Sequence, residues 1–344
     1  MKTRFLNKSV ILMLMLAIST FLIFGCSASK PSEEDDRLHI VCTTFPLYDW
    51  TRQVLAGQEE WAEISLLMDG GTDLHNYQPT AEDLLMISEA DIVIYVGGES
   101  DRWMKDVIAS VPEEKREGQQ YLNLMEILDS ALREEEYVEG MEAEEEEEEV
   151  TDVDADESAP MEYDEHIWLS LKNASVCVQA IETAVASAGE ETMQIAAKEN
   201  AEQYIEELEA LDQEYEQMVQ AAPWKTVLVA DRFPFLYLMK DYGISYYAAF
   251  QGCSAETDAS FETVIFLAGK MDEYELPAVL VIENGNDRIA QTVIENTVGQ
   301  NQKILVLNSL QSVTSGDIEK GVTYLSVMQD NYSVLKEALY GVTE

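Results

Sequence analysis

Short apolar runs alternate with amphipathic stretches along most of the 344-residue chain. In the first half, Leu38–Phe45, Glu63–Met68, Asp91–Val96 and Tyr121–Leu124 are rich in β-formers and read as strands. Between them, Leu47–Leu55, Ala81–Glu89 and Asp101–Ser110 carry helical spacing. The second half repeats the alternation, with strands at Thr226–Ala230, Ser245–Phe250, Ala278–Glu283 and Lys303–Leu307. Its helices are Phe235–Tyr242, Phe261–Tyr274, Arg288–Thr297 and a closing Tyr324–Leu339. Largely apolar strands that alternate with helices imply parallel sheets covered on both faces and joined by right-handed crossovers. The expected fold is α/β, with two lobes, each a parallel sheet flanked by helices.

The stretch Glu190–Ala221 is rich in Glu, Ala, Gln and Leu, has no internal Gly or Pro, and is bounded by Gly189 and Pro223. Read as one helix joining the lobes, about thirty residues reach roughly 45 Å, enough to span both; the alternative is two shorter packed helices. This divides the folded part into an N-terminal lobe at 37–188, a connecting helix at 189–222 and a C-terminal lobe at 223–344. One segment departs from the pattern. Around 134–162, Glu134–Glu136 and Glu144–Glu149 are followed by Asp152, Asp154, Asp156 and Glu157, with few apolar residues. Such a segment cannot bury enough surface to fold and reads as a disordered acidic loop. It serves either as a weak cation collector or as a solvated insertion without a role.

The N-terminus sets the compartment. Lys2, Arg4 and Lys8 precede an apolar run, Val10–Phe24, of about fifteen residues, which suits a signal peptide and is short for a membrane span. The run ends in Gly25-Cys26 followed by Ser27, Ala28 and Ser29, which resembles a bacterial lipobox with Cys26 as the lipidated residue. Residues 1–26 are then expected to be the leader and 27–36 a tether, with the protein on the outer face of the cytoplasmic membrane. Ordinary secretory cleavage, with Cys26 an incidental thiol, is the alternative. The formal charge of −46 excludes nucleic acid as a partner and disfavours anionic lipid surfaces, while attracting cations. Cys42 and Cys177 read as small buried hydrophobes, and with Cys253 they form no thiol-based metal motif.

Three histidines carry the candidate chemistry. His39, at the start of the first strand, reads as structural. His75 lies in the Gly-rich turn Asp69–Thr80 that follows a strand, where open parallel sheets gather ligands. His166 lies in Asp164-Glu165-His166-Ile167-Trp168-Leu169, between the acidic segment and the next helix. Nucleophile elbows, phosphate loops and His-Glu-x-x-His are absent, and Gly97-Gly98 reads as a turn, so enzymatic function is not expected.

These motifs resemble the zinc- and manganese-binding solute-binding proteins of ABC importers. The family's first ligand motif is Asp-Pro-His-x-Tyr-x-Pro-Thr, and Asp73–Thr80 matches it except at Leu74. Its second is Asp-Pro-His-x-Trp-Leu-Asp-Pro; Asp164–Leu171 keeps the Asp, His, Trp and Leu, with Glu165, Ser170 and Leu171 at the remaining family positions. The resemblance implies two α/β lobes joined by one long helix, with a His- or acid-rich loop before the second ligand. It also implies a metal bound by His75 and His166. Arg232 stands where many relatives carry a third His, and a guanidinium has no lone pair to give. Leu307–Gln311 stands where the family places its last ligand, so Asn308 and Gln311 can offer only neutral amide oxygens, while Asp231 or Glu283 can offer a carboxylate. A carboxylate there can equally pair with Arg232.

The expected function is extracytoplasmic capture of a divalent metal, zinc first and manganese second, for an ABC permease, by a monomer attached to the membrane only through its lipid. One alternative is a paralogue with a degenerate metal site, acting as an extracellular interaction or adhesion lipoprotein. Another is a binder of a larger solute in a cleft lined by Tyr77, Trp168, Phe233 and Phe235.

Overall fold

The computed structural model describes residues 37–71, 74–142, 162–252 and 259–341. The expected leader, Cys26 and tether lie outside the described residues, as do Asp73, Cys253 and Glu144–Glu149. From Leu38 onward the chain belongs to one compact unit.

The first sheet contains β1 (Leu38–Cys42), β2 (Ala62–Leu66), β3 (Ile92–Tyr95) and β4 (Gln120–Asn123), in the order β2-β1-β3-β4. Its flanking helices are α1 (Phe45–Val54), α2 (Ala81–Glu89) and α3 (Trp103–Ser110), and α4 (Leu171–Ala188) and α5 (Glu191–Ala221) follow. The second sheet contains β5 (Thr226–Phe233), β6 (Ser245–Gln251), β7 (Ala278–Ile282) and β8 (Lys303–Leu307), in the equivalent order β6-β5-β7-β8. Around it lie α6 (Leu236–Tyr242), α7 (Phe261–Glu273), α8 (Arg288–Glu295) and α9 (Tyr324–Tyr340). All six strand pairings are parallel. The interior strand β7, Ala-Val-Leu-Val-Ile, is buried along its whole length, as a strand covered on both faces must be. Each lobe reverses its strand order between its first and third strands, which opens a crevice at the carboxyl ends of the strands.

Helix α5 is one uninterrupted element of 31 residues, about 46 Å at the usual rise. Met193, Ala197, Ala201, Tyr204, Leu208, Leu211 and Tyr215 are buried at intervals of three and four, forming one apolar stripe. That stripe packs on α1, α4 and α9 and belongs to a hydrophobic cluster that runs from Ile40 to Leu339. The lobes therefore share a core. Polar contacts lock the same seam: Tyr324 Oη donates to the Trp168 carbonyl at 2.6 Å, Trp168 Nε1 donates to the Ser309 carbonyl at 2.8 Å, and the Tyr324 N–H donates to Asp49 Oδ2 at 2.9 Å.

The flanks of the acidic segment differ from expectation. Residues 134–142 follow a defined path along the protein, although Glu134, Glu136, Tyr137 and Glu139 face solvent. The Asp164 and Glu135 N–H groups donate to the Arg133 and Glu162 carbonyls at 2.9 and 3.0 Å, pairing the outgoing chain with the returning one. Residues 133–142 form a strap that lies on the C-terminal lobe. Arg133 meets Asp241 at 2.8 Å, Glu136 meets Lys240 at 2.7 Å, and the Glu142 N–H donates to the Ala249 carbonyl at 2.9 Å. Met141 is buried beneath it. Two apolar residues, the buried Met141 and Val138 packed against the same core, are enough to anchor a stretch that composition alone assigns to solvent.

Because the core is shared, Leu208→Ala in the middle of α5, at a fully buried site, is expected to cost about 2–5 kcal/mol and to lower one melting transition. Calorimetric scanning checks this; two separate transitions, only one of them shifted, would contradict it.

Candidate metal centre

His75 sits in a single helical turn, Leu74–Asn76, that follows β2. Leu74 is buried and anchors the turn from below. On its far side Tyr77 Oη donates to Asp83 Oδ2 at 2.7 Å, and Thr80 forms a reciprocal capping box with the same Asp83 at the start of α2. The spacing Tyr-x-Pro-Thr is thus a clamp: a phenol and a cap converge on one carboxylate and fix the loop that carries the imidazole. His166 is held from the opposite side. It ends the strap pairing and precedes the turn Ile167–Leu169, and Ser170 then caps α4 by accepting the Asn173 N–H at 3.1 Å. Gly252 leaves room for the ring, since a Cβ there would stand 3.2 Å from His166 Cε1 and 2.9 Å from the Phe233 carbonyl oxygen.

The two imidazoles meet. His75 Nε2 and His166 Nε2 are 3.4 Å apart, with the rings tilted 60° to each other. Zinc–nitrogen bonds of 2.0–2.1 Å at a tetrahedral angle place two ligand nitrogens about 3.3–3.4 Å apart. Each ring is held on its other nitrogen. His166 Nδ1 lies 3.1 Å from Asp164 Oδ1, and His75 Nδ1 lies 2.7 Å from Ser100 Oγ and 3.6 Å from Glu165 Oε2. Oxygen partners at Nδ1 leave Nε2 to face the other ring, the arrangement behind metal-bound histidines. His166 is fully buried, and the His75 side chain retains 13% of its exposure.

The other sequence candidates are tied elsewhere. Glu283 accepts from the Ser309 N–H at 2.7 Å and from Ser309 Oγ at 2.6 Å. Asp231 accepts from the Arg232 N–H at 2.9 Å and the Ile282 N–H at 3.4 Å, with the Arg232 charge nearby. Burial raises the pKa of both carboxyls. Gln311 differs: its Oε1 is buried without a hydrogen-bond partner and lines a small cavity with Thr44, Leu74 and Trp168, next in the chain to or two residues from the imidazoles. Leu310, immediately before it, is held at φ 66°, where a bulky side chain stores about 1–2 kcal/mol of strain. Among the described residues, no group of three or more His, Cys, Asp or Glu side chains converges as a metal cage. The aromatics proposed for a large cleft pack instead: Phe233 stacks on Tyr246 at 3.8 Å, and Trp168 is buried against His166. His39 lies apart, at β1, 3.9 Å from Glu63. Cys42 and Cys177 are buried, free thiols.

Two residues without a sequence signal complete the surroundings. Ser100 comes from the turn after β3, and Asp101 beside it is buried, accepting the Gly97 N–H at 3.0 Å. Burial, with the Glu165 charge adding to it, pushes the Asp101 carboxyl up to about 7. Its folded pKa exceeds its unfolded one, so the folded state holds the extra proton. The contribution of Asp101 to stability therefore falls as pH rises from about 4 to about 7. Asp101→Asn, neutral throughout, is expected to gain thermal stability relative to the parent as pH rises across that window. Melting curves at several pH values check it, and a difference independent of pH would count against the assignment.

A family model described as zinc-uptake complex component A, periplasmic, matches residues 40–338. The zinc-binding lipoprotein AdcA of Streptococcus pneumoniae TIGR4 is 29% identical over 330 residues, which cover 96% of this chain and 61% of that protein. The chain thus spans about three fifths of the length of the curated relatives it matches first. The high-affinity zinc uptake system protein ZnuA of Bacillus subtilis is 26% identical over 329 residues, covering 94% of this chain and 96% of that one. Among solved structures, the Zn(II)-bound ZnuA-like domain of S. pneumoniae AdcA aligns with a TM-score of 0.66 at 25% identity, over 88% of this chain and 99% of that domain. With the match running through both sheets and the helix between them, the chain belongs to the ZnuA family, zinc-uptake complex component A.

Proposed function

We propose that this protein captures a divalent metal ion, zinc first and manganese second, on the outer face of the cytoplasmic membrane and delivers it to an ABC permease. The observation that carries the reading is the 3.4 Å separation of His75 Nε2 and His166 Nε2, each ring backed by an oxygen at Nδ1. A divalent ion between them would be held by two neutral imidazoles. We assign the Gln311 carbonyl oxygen as a third donor, because it is buried, lacks a partner and borders the same turns. Glu283 and Asp231 are the carboxylates in reserve, each needing to leave its present partners. The zinc-binding names of the relatives and the zinc-bound structure among them support the choice of metal. Attachment through a lipid on Cys26, a monomeric state and a binding rather than enzymatic role belong to the same proposal. The oriented imidazoles weigh against a degenerate site, whose rings would have no reason to keep their oxygen partners. The shared core limits delivery to a small closure of the lobes.

Zinc titration by calorimetry tests this, with Glu144–Glu149 replaced by Gln to remove weak carboxylate heat. One-to-one saturable binding is expected. His75→Ala and His166→Ala should each weaken it beyond the 10- to 100-fold that loss of an outer partner typically costs, on the order of at least 100-fold. Absence of saturable binding to the parent chain would rule the proposal out. Because the ligands must be neutral, binding should also weaken as pH falls below about 6. Unchanged affinity through that range would show that the imidazoles are not the donors.

A further inference from the structure

The family's second ligand motif has proline directly before its histidine, and this chain has Glu165. An acid inserted there is carried into the interior, since Glu165 is only 3% exposed, and burial raises its pKa. The structure accommodates it from several sides. Glu165 Oε1 accepts the Ser100 N–H at 2.8 Å. Gly98 in the same loop is held at φ +79° and has no side chain, and a Cβ there would stand 2.3 Å from Oε1. The second oxygen, Oε2, is buried, accepts no hydrogen bond and lies 3.6 Å from His75 Nδ1.

The Ser100 hydroxyl also meets this nitrogen, 2.7 Å from His75 Nδ1, and can serve it as donor or as acceptor. The hydroxyl by itself therefore leaves the tautomer open. The carboxylate decides it, because Oε2, 3.6 Å away, attracts a proton at Nδ1 and repels a lone pair there. His75 then carries its hydrogen on Nδ1 and turns the Nε2 lone pair toward His166.

We infer that Glu165 is a positioning residue, whose carboxylate facing Nδ1 holds His75 in the tautomer whose Nε2 can ligate. On the His166 side Asp164 stands in the corresponding place, so each imidazole is backed by a carboxylate drawn from one consecutive pair, Asp164-Glu165. The inference rests on the proposed metal site for its effect on affinity, but not for its effect on the ring itself.

Glu165→Gln tests it. The amide oxygen keeps the Ser100 N–H, which places the amide NH2 where Oε2 stood, facing Nδ1 as a donor. In the nitrogen-labelled, metal-free mature chain, whose three histidines are assigned by single substitutions, long-range proton–nitrogen spectra report each tautomer. His75 is expected to be Nδ1–H in the parent and Nε2–H in Glu165→Gln, with zinc affinity reduced by about 10- to 100-fold and a single cooperative melting transition kept in the metal-free chain. Ser100→Ala should keep the Nδ1–H form, because the carboxylate remains to accept it. The inference is overturned if the parent is Nε2–H, if Glu165→Gln leaves the tautomer as in the parent, or if Ser100→Ala alone switches it. A tautomer switch in a chain that binds no zinc upholds the role of Glu165 and removes the metal reading alone.

Discussion

Two imidazole nitrogens are held 3.4 Å apart, each ring with its other nitrogen against an oxygen, at the spacing that two nitrogens take around one tetrahedral metal ion. Much of the surrounding structure is arranged to sustain that contact. The Tyr77 and Thr80 clamp on Asp83 holds one ring, the pairing of the strap holds the other, and Gly252 and Gly98 supply the space. An interior built in this way holds the imidazole pair in place ahead of the ion it is proposed to bind.

The proposed site draws on both lobes. His75 and His166 belong to the first, while Gln311, Glu283 and Asp231 belong to the second. A hinge that opened widely would separate the two proposed donor sets. Instead the Trp168–Ser309 and Tyr324–Trp168 hydrogen bonds, the stripe of α5 and the strap at 133–142 hold the sheets in one core. The long helix accounts for the span and the strap for a second tie. The strap also places the entrance to the acidic segment against the C-terminal lobe, at Ala249 and Ser260.

How much of this was legible depends on how local each cause is. Strands, helices and the continuity of α5 follow from apolar spacing and from Gly189 and Pro223, which are signals within a few residues. His75 and His166 stood out because their motifs are local too. The role of Glu165 was hidden: it depends on Ser100, 65 residues earlier in the chain, and in the sequence it reads only as a lost proline. Asp101 and the unpartnered oxygen of Gln311 acquire meaning only once burial is known. The strap departs from that reading because two apolar anchors, Val138 and Met141, are a small signal among many glutamates.

The most direct measurement is zinc X-ray absorption on the mature chain loaded with one equivalent of metal. The account predicts two imidazoles in the zinc shell at about 2.0–2.1 Å, recognised by scattering from the outer ring atoms, with oxygen donors completing it. A shell of oxygen alone, without imidazole scattering, would mean that metal collects on carboxylates and that His75 and His166 face each other for another reason.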